Sequence, residues 1–232
     1  MGSLLLGQIE EVSLEELLTQ LRSSINTSSI PSRLKQTHIP SLDALAATHL
    51  RDTQSPTISL YGRSLPLLYK IVATLISPPH SKAVFVLDLE GRFDAASLDC
   101  EDADLAHVYV QHPARSTPEH LRGLIANAEA FMLYDEDAQR SRHREWWGTL
   151  VVGGLAAGDV TAGWKGWLRV ERGSVPGFPM EIGVEDAWRQ RERRDRAVEE
   201  KRWVASSEWG GFEFDVDVDV DVGGSGRANR KS

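Results

Sequence analysis

The stretch Thr57-Ile-Ser-Leu-Tyr-Gly-Arg-Ser-Leu-Pro-Leu-Leu-Tyr-Lys-Ile-Val-Ala-Thr-Leu-Ile76, followed by Ala83-Val-Phe-Val-Leu-Asp-Leu89, decides the fold. Thr57 to Tyr61 predicts a strand, and Pro66 to Ile76 predicts a helix with proline in its first turn, where no amide donor is missed. Ala83 to Leu89 is a continuous run of apolar, largely β-branched and aromatic residues, the pattern of a strand buried on both faces. Strand, helix and buried strand in this order make a βαβ unit, which requires a parallel pair. Further along, Leu105 to Val110 predicts a third strand. Pro118 to about Met132 predicts a second helix, with Thr117 as its N-cap and Leu121, Leu124 and Ile125 on one face. The expected class is α/β, a mostly parallel sheet flanked by helices.

The second half changes character. Thr149 to Val152 predicts a strand closed by Gly153-Gly154, while Gly166 to Arg172 and Phe178 to Ile182 predict a C-terminal β-meander. Val184 to about Trp203 reads as a charged helix, and Gly210 to Phe214 as a terminal strand. All seven tryptophans, Trp146 through Trp209, fall in this half and are expected to pack it against the sheet, with an aromatic partner-binding surface as the alternative. Upstream, Ser13 and Glu16 form a capping-box pair before Leu14, Leu17, Leu18 and Leu21, which predicts an amphipathic helix. The Ser-, Thr- and Pro-rich stretch from Ser23 to Pro56, broken by a short apolar patch at Leu42, Leu45 and Ala46, reads as a linker carrying one helical turn or two. The expected organisation is an N-terminal helix and linker over 1–55, a core over 56–214, and a low-complexity acidic tail over 215–232 that begins with a strict Asp-Val repeat.

Composition narrows the classes. The chain has 232 residues, 41% of them apolar, enough for one sizeable core and not a disordered polymer. A formal net charge of -8 argues against a surface that binds phosphate backbone indiscriminately. The one cysteine, Cys100, leaves no internal disulfide or Cys-based zinc cluster. The start has neither a basic n-region nor an apolar run of signal-peptide length, and Leu6 stands where a myristoylation motif wants Ser or Thr. A soluble intracellular protein is expected.

The turn after the first strand is where an α/β protein would bind a nucleotide. A phosphate loop needs several glycines, a lysine for the β and γ charges, and a Ser or Thr for Mg²⁺. Here only Gly62 remains, and Lys70 lies inside the predicted helix. The second strand ends in Asp88-Leu-Glu90, carboxylates at the ligand edge of the sheet that could serve as base or metal ligand or simply bond backbone. The seven histidines form no metal constellation, and no nucleophile elbow accompanies Ser, His and Asp. Arg140, Arg142 and Arg144 form a basic cluster before Trp146-Trp147, a candidate nucleic-acid contact as well as an ordinary solvated loop. A second basic run, Arg189 to Arg202, is interleaved with acids in the manner of a solvated helix face.

Taken together, Leu67-Leu-Tyr69, Ile76-Ser-Pro78, Val84-Phe-Val-Leu-Asp-Leu-Glu-Gly-Arg-Phe-Asp94 and the closing Ser207-Glu-Trp-Gly-Gly-Phe-Glu-Phe214 resemble the RecA-like recombinase paralogues over roughly residues 57 to 214. The resemblance implies a RecA-like sheet and a degenerate nucleotide site at Gly62, Ser64, Leu65, Asp88 and Glu90. By position, Ser64 replaces the family's phosphate-loop lysine and Leu65 its threonine, while Glu90 stands on the catalytic glutamate. The family's second acidic strand has Phe131-Met-Leu-Tyr-Asp135 as its candidate, and the connection from Val152 to Gly166 is short for a DNA-contacting loop. The resemblance implies a non-catalytic subunit in homologous-recombination DNA repair in the nucleus, with no catalytic or metal-ligating residue of its own. ATP and Mg²⁺ would come through a partner paralogue, in a hetero-oligomer that reaches single-stranded DNA and no membrane. A silent RecA-like scaffold of an Elongator-type tRNA-modification complex is the alternative, and a nucleotide-dependent enzyme using Glu90 with an unconventional cradle is a third.

Overall fold

The computed structural model describes residues 34–113, 117–154, 157–173, 183, 185, 188, 191 and 201–215. The predicted N-terminal leucine helix, the strand at Phe178–Ile182, most of the charged helix and the Asp-Val repeat beyond Asp215 lie outside the described residues.

The chain forms helix α1 (Pro40–Thr53), strand β1 (Ile58–Gly62), helix α2 (Leu65–Ile76) and strand β2 (Ala83–Asp88). A short helix α3 (Asp102–Leu105), strand β3 (Val108–Gln111) and helix α4 (Pro118–Tyr134) follow. The remaining strands are β4 (Trp146–Val152), β5 (Val160–Gly163), β6 (Leu168–Arg172), β7 (Trp203–Ser207) and β8 (Gly210–Phe214). All join one 8-stranded sheet in the order β3-β2-β4-β5-β1-β6-β7-β8. Strands β3 through β6 in that order are parallel neighbours, and β7 and β8 pair antiparallel at the far edge.

Period-two alternation sorts the core onto two faces. Val84 and Val86 of β2 and Leu150 and Val152 of β4 pack with Leu67, Leu68, Ile71 and Leu75 of α2 and with Leu42 and Ala46 of α1. Leu87 and Val151 face the other way, onto Leu121 and Leu124 of α4. Every residue of β2 is buried, as its apolar run from Ala83 to Leu87 requires. Thr117 caps α4, accepting the His120 amide at 3.2 Å. No helix among the described residues is long and apolar enough to cross a membrane.

Several expectations are corrected. The apolar patch at Leu42, Leu45 and Ala46 belongs to a helix of 14 residues, with Leu42 0% and Ala46 1% exposed, so the core begins well before residue 56. The third strand starts at Val108, because Asp102–Leu105 closes as a helical turn and His107 donates its amide to the Asp104 carbonyl at 3.0 Å. The connection from Val152 to Gly166 contains a strand of its own, β5. Trp203 opens strand β7, where the reading had a helix end. The tryptophans divide: Trp147 is buried and Trp146, Trp167, Trp203 and Trp209 are half-buried, but Trp164 and Trp188 remain 65% and 66% exposed.

Candidate functional site

The C-terminal ends of β1, β2 and β4 lie along one edge of the sheet, which is where open α/β sheets place ligands. β1 ends at Gly62 with φ +81°, a left-handed conformation in which a side chain is strained. A Cβ at this position would also stand 2.7 Å from the Val170 carbonyl oxygen of β6. The next amide, Arg63, donates to that same oxygen at 2.8 Å. Both features of the turn that resemble a phosphate loop, the glycine and the forward-pointing amide, are thus taken up by the neighbouring strand. Ser64 is 2% exposed and does not cap α2, Leu65 packs against the core, and Lys70 donates its ammonium to the Asp215 carbonyl at 2.8 Å. These residues do not fit a nucleotide's phosphate chain: no lysine stands at the turn and its amide is already bonded within the sheet.

At the end of β2 the Asp88 carboxylate is 1% exposed. It accepts the Phe93 amide at 2.8 Å and the Glu90 amide at 3.2 Å, with the His112 Nε2 3.3 Å away. Asp88 therefore holds the turn that follows β2 and is turned from solvent. The turn is carried onto α2 by Phe93 against the Tyr69 ring, and by the Asp94 amide donating to the Tyr69 hydroxyl at 3.1 Å. Glu90 is exposed and pairs with Arg92 at 2.7 Å. Its side chain lies across Gly153 of the β4 terminus, φ +84°, where any Cβ would overlap it.

Phe131-Met-Leu-Tyr-Asp135 is not a strand. Phe131 to Tyr134 is the last turn of α4, and Asp135 follows as its C-cap, accepting the Asp137 amide at 2.9 Å. The strand that stands between β2 and β5 is β4, and it ends in Gly153-Gly154 without a carboxylate. Among the described residues no group of three or more His, Cys, Asp or Glu could hold a metal ion.

The basic cluster is split by burial. Arg140 and Arg142 are exposed. Arg144 turns inward, donating to Asp104 at 2.6 Å and to the Ile76 carbonyl at 2.8 Å, with the two side chains only 11% and 6% exposed. Beside it Ser141 Oγ lies 2.8 Å from both His107 Nδ1 and the Tyr109 hydroxyl. Burial, and next the Arg144 charge, hold the His107 pKa below the ordinary value, which favours the neutral imidazole in this network.

The structure adds a feature that no motif announced. A pocket of about 420 Å³ opens between α4 and the outer strands, lined by Phe85, Tyr109, Gln111, Asn127, Ala128 and Phe131 among others. Tyr109 and Phe85 meet the Phe131 ring edge-on, with centroids 5.4 and 5.9 Å apart. β3 beside it is the edge strand of the sheet among the described residues. In the sequence these residues lie on two strands and a helix with no shared spacing, so only the tertiary fold assembles them.

Comparison with protein-family models and with curated proteins finds no significant match to this chain.

Proposed function

We propose that the chain has a RecA-like fold and works as a non-catalytic subunit of a recombinase-paralogue complex in homologous-recombination DNA repair, most like the second X-ray-repair cross-complementing protein. The observation that carries this is the β1–α2 turn, in which Gly62 and the Arg63 amide are committed to Val170 and no lysine stands at the phosphate-loop position. In this reading the task of the domain is contact and not phosphate chemistry. Supporting it are the resemblance carried by Val84–Asp94 and Ser207–Phe214, and the mostly parallel sheet whose edge β7–β8 hairpin contains the second of these segments.

In this reading ATP and Mg²⁺ enter with a partner paralogue in a nuclear hetero-oligomer, and single-stranded DNA is reached through the complex. The partner surface is the free edge of β3 with its pocket. An extended segment can add its backbone to an unpaired edge while an apolar side chain fills an adjoining pocket.

The test is purification of the tagged full chain from nuclei with identification of its companions, alongside calorimetric titration with ATP and Mg²⁺. Recovery of an ATP-binding recombinase paralogue is expected, with no heat of nucleotide binding to the isolated chain. Recovery of tRNA-modification subunits in its place would favour the Elongator-type scaffold. Micromolar ATP binding by the chain alone would overturn the silent site.

A further inference from the structure

The segment Leu34–Ile39 crosses the N-terminal edge of the sheet before entering α1, and it is bolted there by separate contacts. Lys35 pairs with Asp159 at 2.9 Å and lies 5.4 Å and 5.8 Å from the ring centroids of Trp146 and Trp147. The Gln36 carbonyl accepts the Trp147 indole N–H at 2.8 Å. The amides of Thr37 and His38 donate to the Asp43 carboxylate at 2.8 and 3.0 Å, holding His38 at φ 62°. The last contact is of a different kind: the His38 ring stacks on His80, centroids 3.7 Å apart and planes 12° from parallel. His80 belongs to the turn between α2 and β2, closed by its own amide on the Ser77 carbonyl at 3.1 Å.

We propose that the His38–His80 stack is a proton-operated latch that holds the 34–39 segment on the sheet when both rings are neutral and lets it go when they are charged. Two neutral imidazoles stack as aromatic rings do, whereas two imidazolium charges at this spacing repel. The charged groups facing the pair are Lys82, Glu145 and Asp43. Lys82 is bound to Glu145, and the Asp43 carboxylate is occupied by backbone amides. Glu145 still senses a charge on His38, whereas the charges acting on His80 are His38 and Lys82, both of which oppose its imidazolium. In keeping with this, burial, then His38 and Lys82, hold the His80 pKa below its ordinary value. The bonds of Lys35 and Gln36 and of the Thr37 and His38 amides do not titrate with histidine, so acid parts the rings first and loosens the segment from its His38 end.

Two measurements on the full chain test this. In an NMR titration the His80 ring should protonate below its ordinary value. An ordinary His80 titration near 6.5 would overturn the latch. In hydrogen exchange corrected for intrinsic rate, protection of 34–39 should fall about tenfold more than that of β2 between pH 7.5 and 5.5. His80→Phe keeps a ring at the stack but carries no proton, and should abolish that excess. Wild-type acid opening in the variant would refute the proposal, and if the variant does not fold, the titration of the native chain decides.

Discussion

At Gly62 the conformation and the neighbour act together, since φ +81° excludes most side chains and the Val170 carbonyl occupies the space a Cβ would need. Gly62→Ala should cost about 1–3 kcal/mol in denaturant unfolding, the usual scale of a strained backbone position. A variant of unchanged stability would mean that β6 does not approach so closely. Arg144 was read with Arg140 and Arg142 as a surface cation, and the residues around it explain the difference: its charge is spent on Asp104 and the end of α2. Arg144→Ala leaves Asp104 nearly buried without its partner, and a loss of about 3 kcal/mol is expected. The same change should leave any nucleic-acid affinity untouched, in contrast to Arg140→Ala. His49, His80 and His107 all hold pKa values below 6.5, each chiefly through burial. The folded chain therefore binds fewer protons than the unfolded one, so stability is whole above about pH 6.5 and falls as the pH drops through it. Urea midpoints should be lower at pH 5.5 than at 7.5, and equal midpoints would contradict the assignment.

Among the elements, α1 departs furthest from its sequence signal. Its apolar positions are few and flanked by polar residues, yet Leu42 and Ala46 are fully covered, and an aromatic clamp closes over His49. There the Trp167 ring stacks at 4.4 Å and the Trp209 ring meets edge-on at 4.7 Å, while the Trp209 indole N–H donates to Asp52 at 2.7 Å. Leu42→Ala should cost about 2–5 kcal/mol, the range for a buried leucine, where a linker residue would cost almost nothing. The caps and patterns of α2 and α4 were legible because their signals are local: proline in the first turn, Thr117 at the N-cap, leucines at helical spacing. β5 was not, since Val160-Thr-Ala-Gly163 is too short to show a period and is a strand only because β4 and β1 flank it. β7 was hidden behind a charged run for a similar reason. At the outer edge, Phe131→Ala should empty one wall of the β3 pocket and weaken capture of the partner while leaving the fold intact. Undiminished capture would place the interface elsewhere.

Across the whole molecule, helices α1 and α2 cover one face of the sheet and α4 the other, and the core draws on residues from both ends of the described chain. Phe214 of β8 and Leu42 of α1 belong to the same buried cluster, so a chain beginning at residue 56 should fail to fold cooperatively and expose the underside of β6 to β8. A cooperative, soluble fragment over 56–232 would contradict this. The sequence by itself determined the α/β class, because burial on both faces needs an unbroken apolar strand and a helix needs its stripe, and both patterns are written in neighbouring residues. It also determined that the β1–α2 turn lacks the lysine and glycines of a phosphate loop. Only the tertiary structure decided why Gly62 is there, which arginine is buried, where the core begins and which residues wall the pocket beside β3. Each of these depends on a neighbour far along the chain, and no local spacing encodes which strand comes to lie beside which.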